Sequence, residues 1–307
     1  MNWITKIIKA GEKIKTAIRE RSTKADIANS DWTSCCRGPI LKKDLEANLW
    51  VCPDCNKHHY ISPTNRFNLM FGKNGWQKID SPQPPPDPYK WVDTKKYTDR
   101  LKDAKKITGQ DNAILSCEGK INNIDVVVSA VDFKFIGGSI SMAEGENVLA
   151  AVQTAINKKC PYIFVSASGG MRMMTNMLSL MQMTRMTVAI NALRENNLPY
   201  IVVGTSPTTG GLTASIASLS DICIGETGAT WAFAGRRIVE NTEKGQLPEN
   251  FQTVEWAKGQ IDLICDRKDI HPTIGTLLSI LLKKNSSINS EKNETSEDDQ
   301  SLTKAAS

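Results

Sequence analysis

The stretch Tyr162-Ile163-Phe164-Val165-Ser166-Ala167-Ser168-Gly169-Gly170 decides how this chain folds. Tyr162–Val165 is a short run of aromatic and β-branched residues, the pattern of a buried strand. Two glycines follow it, and then a long helical stretch through Glu195. The same order recurs downstream, with a strand at Tyr200–Val203, then Pro207, Gly210–Gly211 and a predicted helix to Leu219. Upstream, Ala113–Cys117 and Ile124–Val131 read as strands around the turn residues Asn122–Asn123. Gly137–Gly138 and a helix from Met142 to Asn157 come next. Ile222–Ile224 and Thr230–Phe233 are strands ahead of Gly235 and a helix from Arg236. Strands that repeatedly deliver the chain to a helix start predict an α/β domain over residues 111–285.

The flanks differ in texture. The chain has 307 residues, with 38 Lys+Arg against 33 Asp+Glu, and can bury a self-sufficient core. Residues 1–30 form a basic arm with seven basic and three acidic side chains. Together with Lys42, Lys43 and Lys57 the arm motivates one alternative function, a nucleic-acid-binding protein whose affinity falls steeply with salt. Residues 31–60 hold four clustered cysteines. Residues 61–110 form a helical, proline-rich connector, broken at Ser81–Tyr89 by prolines that fit neither helix nor central strand. Residues 286–307, with five acids and two lysines, lack apolar content and are expected to be a disordered acidic tail. No apolar run approaches the ~18 residues that cross a bilayer, and the N-terminus has no secretory pattern. The expectation is a cytoplasmic protein with no membrane partner.

Glycines ahead of a helix let a ligand oxygen approach the first backbone N–H groups closely. Such a turn is an anion cradle or an oxyanion hole. GxxxxGK[ST] and GxGxxG are both absent, which excludes phosphate-loop and dinucleotide chemistry and leaves an enolate or tetrahedral oxyanion. Ser166 and Ser168 are not in a GxSxG context and read as caps. Only three histidines exist, His58, His59 and His271, and only His271 is placed to partner a serine, at the opposite end of the domain. A second alternative is a stand-alone enzyme that stabilises an oxyanion, a hydratase or decarboxylase. It requires a pocket carboxylate, for which Glu144 or Glu146 are the candidates.

Several stretches, in order, resemble one family. Val165–Gly170 with Arg172, Leu178–Met183, Phe135–Ser139, Pro207–Gly211, and Phe233–Gly235 followed by Arg237 resemble the β subunit of bacterial and plastid acetyl-CoA carboxylase carboxyltransferase. Asp93, Lys95, Lys96, Tyr97, Asp99, Arg100 and Leu101 resemble its DxKKYxDRL stretch, and the likeness runs to about residue 282. The resemblance implies a crotonase-like (ClpP/crotonase) spiral of ββα units behind a small N-terminal zinc-ribbon-like module, and makes the stand-alone alternative a crotonase-type acyl-CoA enzyme. It implies CO2 transfer from carboxybiotin, held on a biotin carboxyl carrier protein, to acetyl-CoA, giving malonyl-CoA for fatty-acid synthesis. The implied assembly is an α2β2 heterotetramer with a carboxyltransferase α subunit. Also by resemblance, the amides of Gly210 and Gly211 form an oxyanion hole. Gly137, Gly138, Ser168, Gly169, Gly170, Arg172 and Gly235 then belong to the substrate-binding surface.

The sequence departs from that family at definite places. The family's CxxC…CPxC ribbon presents four thiolates suited to structural zinc. Here Cys52-Pro53-Asp54-Cys55 is intact, but the first pair, Cys35-Cys36, lacks its two spacer residues. Zinc on Cys35, Cys36, Cys52 and Cys55, zinc on three thiolates plus His58 or His59, and a metal-free ribbon all remain open. The family's small residue after Ser-Gly-Gly is Met171, and its Gln-Glu is Met174-Thr175. Ser141-Met142 and Arg236 replace a Gly-Ser pair and a proline. Six of the ten methionines fall between Met171 and Met183. They make an apolar helix for the core or for another subunit, or else a reshaped pocket entrance.

Overall fold

The structure, a computed structural model, describes residues 31–35, 38–243, 247–257 and 259–282. The basic arm at 1–30, Cys36 and the acidic tail at 286–307 lie outside the described residues. The first elements are an antiparallel pair, β1 (Trp32–Cys35) and β2 (Gly38–Leu41), followed by helix α1 (Lys42–Ala47). Helix α2 (Pro63–Phe71) begins where the Ser62 hydroxyl accepts from Asn65 N–H, with Pro63 in its first turn. Then come β3 (Trp76–Lys78), the extended proline run, and α3 (Tyr97–Thr108), which Gly109 ends at φ 70°. β4 (Ile114–Ile121) and β5 (Ile124–Val131) make a hairpin whose turn residues, Asn122 and Asn123, take φ 49° and 61°. Asparagine tolerates that left-handed backbone, as the sequence suggested.

The rest alternates: α4 (Met142–Lys158), β6 (Tyr162–Ser168), α5 (Asn176–Glu195), β7 (Tyr200–Thr209), β8 (Ile222–Glu226), β9 (Trp231–Ala232), α6 (Arg236–Thr242), β10 (Leu263–Cys265) and α7 (Arg267–Leu281). The main sheet runs β10-β8-β7-β6-β5-β4-β3, with β9 pairing alongside the end of β7. Pairing from β5 to β10 is parallel, and β3-β4-β5 is antiparallel. Side chains alternate across the sheet. Tyr162, Phe164, Tyr200 and Val202 face one core, with Val148 and Val152 of α4 and Met186 and Ile190 of α5. Ile163, Val165, Ile201 and Val203 face the other, with Phe67 of α2 and Ile270 and Ile274 of α7.

One predicted helix does not form. After Gly211 the chain makes a single α-type bond, Ala214 N–H to Gly210 O at 3.1 Å, and then a 3-10 turn at Ala217–Leu219. The segment is rich in hydroxyls that take backbone carbonyls for themselves. Ser215 Oγ donates to Gly211 O at 2.6 Å, and Thr213 Oγ1 reaches across to Ala232 O at 3.1 Å.

The cysteine module sits on the carboxyl ends of the parallel strands. Its anchor is Glu226, at the end of β8 and 2% exposed. Arg267 gives Glu226 two bonds, Nε to Oε1 at 2.9 Å and Nη2 to Oε2 at 2.8 Å, while Arg66 Nη1 donates at 3.2 Å. The remaining Arg267 nitrogen, Nη1, donates to the carbonyls of Leu49, Trp50 and His59 at 3.0–3.1 Å. Burial alone would raise the Glu226 pKa. Arg66, Arg267 and His58 outweigh it and hold the carboxyl well below its ordinary value.

Candidate active site

Strands β6 and β7 end side by side, and hydroxyls lock their ends together. Ser166 Oγ and Thr208 Oγ1 share a bond at 2.7 Å, Thr205 Oγ1 donates to Ser166 O at 2.6 Å, and Thr209 Oγ1 donates to Ser168 O at 3.2 Å. The two glycine pairs that follow are thereby pressed against each other. A Cβ built on Gly170 would stand 3.2 Å from Gly211 N, and one on Gly210 3.1 Å from Gly169 O. Gly170 and Gly210 also take φ of 113° and 64°, so glycine is required at both for space and for conformation.

The third pair buttresses the first. Gly169 N–H donates to Gly137 O at 2.9 Å, and a Cβ on Gly138 would lie 2.2 Å from Ala167 O. Ile140 N–H donates to Gly170 O, and Arg172 N–H to Ile140 O. Ser168 is fully buried, and its hydroxyl accepts from Gly170 N–H at 3.0 Å, so it shapes the turn. Gly235 is the residue before α6, and Ile238 N–H donates to its carbonyl.

Two site expectations need correction. Gly210 N–H donates to Phe233 O at 2.9 Å, so this amide is committed to the fold and is not an oxyanion donor in this arrangement. Arg172 is 3% exposed and faces inward. Its guanidinium donates to Glu144 Oε1 at 2.6 Å, to Tyr97 Oη at 2.9 Å and to Ser139 Oγ at 3.1 Å, which leaves it a clamp under the turn with little surface for substrate. Glu144 is equally committed. It is fully buried and accepts from the N–H groups of Ala113 and Ser141, closing a capping box on α4. Glu146 pairs with Arg185 at 2.8 Å. Neither carboxylate is free to activate water, which counts against the hydratase alternative.

Several main-chain N–H groups in and just after these turns have no acceptor among the described residues: Gly211 and Met171, and also Gly137, Leu212 and Thr213. Sequence reasoning singled out the first. It missed the second, because Met171 carries no glycine signal and its amide is freed only by the bridge pairing of Ile140 with Met171.

In the cysteine module, the sulfurs of Cys35, Cys52 and Cys55 all lie within 4.8 Å of one another, with Cys35 and Cys55 at 3.3 Å. Three converging thiols suit a tetrahedral zinc with Zn–S bonds of about 2.3 Å. Neither histidine joins them: His58 Nδ1 faces Glu226 Oε2 at 3.5 Å. The proposed fourth ligand, Cys36, lies outside the described residues. Between this module and the strand ends is a cavity of about 460 Å³, lined in part by His59, Tyr60, Ala167, Thr205, Ser206 and Gly228. Burial, then Lys57 and Arg267, lowers the His59 pKa.

Comparison with known proteins identifies the lineage. A carboxyl transferase domain matches residues 91–303. The acetyl-coenzyme A carboxylase carboxyl transferase subunit beta of Pelagibacter ubique is 57% identical over 309 residues, covering 100% of both chains. The chain belongs to this β-subunit family. The counterpart from Bartonella quintana is 44% identical over 285 residues, 92% of each chain. Among solved structures, transcarboxylase 12S superposes with a TM-score of 0.57 at 21% identity, over 71% of this chain and 41% of that one. A Pseudomonas malonate decarboxylase hetero-tetramer gives 0.56 at 16%, over 72% and 82%. At these identities the likeness concerns the fold, which is the crotonase-like one expected of a carboxyltransferase β subunit. Among the described residues no helix is long and apolar enough to cross a membrane.

Proposed function

We propose that the chain moves CO2 from carboxybiotin on a carrier protein to the methyl carbon of acetyl-CoA, giving malonyl-CoA, and that it acts with a carboxyltransferase α subunit in an α2β2 assembly. The observation that carries this reading is that two of the acceptor-free amides, Met171 and Gly211, face each other across two touching glycine turns. They replace the expected pair Gly210–Gly211. A thioester oxygen gathers negative charge as the methyl carbon loses its proton, and fixed N–H dipoles favour that charge by roughly 3–4 kcal/mol per donor. The glycines keep the approach open, while Gly137 and Gly138 brace the turn from beneath.

Ser166 and Ser168 are bonded within the turns, and Glu144 is locked to Arg172. This chain's part is therefore to bind and to hold charge. Decarboxylated biotin, when bound, supplies the proton acceptor. The need for an α subunit is supported by an exposed apolar stripe. Met177, Leu180, Met181 and Val188 lie along the outer side of α5, with Met173 (78% exposed) ahead of it. Phe233 and Ile238 are exposed as well. These exposed apolar side chains suit burial against another subunit.

Zinc on Cys35, Cys52 and Cys55, completed by Cys36, would hold the module's two halves together. Metal analysis returning zinc at one per chain tests that ligand set, and zinc-free folded protein overturns it. Among the described residues no cysteine is in a disulfide, which supports a cytoplasmic setting that fractionation of the native source tests. The function itself is tested by mixing the chain with its α partner and a carboxybiotin donor. Malonyl-CoA forms only in the full mixture; its absence there overturns the proposal.

A further inference from the structure

Met171 stands where the family pattern has a small residue, and its side chain turns toward the other glycine turn. A Cβ built on Gly211 would lie 2.7 Å from Met171 Cγ, 3.3 Å from Met171 Cε and 3.2 Å from Met183 Sδ. Two thioether chains therefore cover the α-carbon of the residue whose N–H is a proposed oxyanion donor. Both are half-buried: Met171 packs on the main core yet keeps part of its surface open. On the other side, backbone closes the turn, with Gly170 against Gly211 N and Thr209 O nearby. The space beside the Gly211 α-carbon is thus bounded by backbone on one side and by two flexible methionines on the other.

We propose that Met171 sets the length of acyl chain the site accepts, admitting an acetyl methyl and opposing propionyl and longer groups. This rests on the acyl-CoA reading above. An acyl oxygen hydrogen-bonded to Gly211 N–H holds its α-carbon only two bonds away. A substituent on that carbon meets the Met171 thioether. Steric discrimination of one methylene spans roughly 10- to 200-fold, and a flexible methionine belongs at the lower end.

The test is kcat/KM for acetyl-, propionyl- and butyryl-CoA, measured with the assembled enzyme and a carboxybiotin donor. Wild-type protein favours acetyl-CoA over propionyl-CoA by about tenfold or more. Met171→Ala raises the propionyl-to-acetyl ratio about tenfold, and Met171→Leu, of similar volume, leaves it near wild type. Met183→Ala shifts the ratio in the same direction by less, and serves if Met171→Ala does not fold. A merely structural role for Met171 would lower all three substrates alike and leave the ratio unmoved, which overturns the proposal. So does a wild-type enzyme that carboxylates propionyl-CoA as readily as acetyl-CoA. Failure to carboxylate acetyl-CoA at all is a different result, because it removes the functional reading itself.

Discussion

At Arg172 the chain places a full positive charge under the glycine turns with its side chain 3% exposed, and neutralises it with Glu144 at 0%. Deleting one partner strands the other charge in a medium that cannot solvate it, which costs about 3–5 kcal/mol. Arg172→Ala is therefore expected to unfold at a markedly lower urea concentration, with an unchanged dependence on denaturant. A midpoint like that of wild type would show the clamp to be dispensable. The family resemblance suggested a different role for this residue, on the substrate-binding surface. Nothing in linear spacing reveals that Glu144, 28 positions earlier, comes to lie beside it. The Gly210 amide is a similar case, since its partner, the Phe233 carbonyl, arrives from beyond β8.

Helix α5 mixes polar and apolar residues on both faces, with Ser179 and Gln182 buried beside Met186 and Ile190. Its methionine content was legible in the sequence, but a helix without a polar side carries no periodic signal that separates core from interface. The structure separates them: Met186 and Ile190 are buried, while Met177, Leu180, Met181 and Val188 are exposed. Replacing Met177 and Met181 together by lysine is expected to abolish co-elution with the α subunit while leaving the thermal unfolding of the isolated chain within a few degrees of wild type. Retained co-elution would place the contact elsewhere. Strands were read well because their runs of Ile, Val and Tyr are continuous. The segment after Gly211 was misread because its serine and threonine hydroxyls compete for carbonyls that a helix would use.

Across the whole molecule, Glu226 joins β8, α2, α7 and the cysteine module. Its carboxyl pKa is held well below the ordinary value, so its stabilisation is present in full above the unfolded-state pKa of about 4.3. That contribution is lost as pH falls through the depressed folded value. Stability is expected to drop on acidification below about pH 4, and the Glu226→Gln variant, already weakened at neutral pH, is expected to show a flatter acid limb. Parallel acid limbs in the two proteins would assign the titration to other carboxylates. The module at 31–60 was visible in its cysteines. Its attachment was not, because Arg267 lies more than two hundred positions from the carbonyls of Leu49, Trp50 and His59 that it holds.

That hold reads main-chain oxygens, and any amino acid provides one. The small module can therefore change its residues, even shorten a cysteine spacing, while keeping its place over the strand ends. Substitutions that preserve the path of the backbone at residues 49, 50 and 59 leave Arg267 with the same three acceptors. The architecture tolerates drift in this appendage far more readily than at the glycine turns beneath it, where one added methyl group already collides.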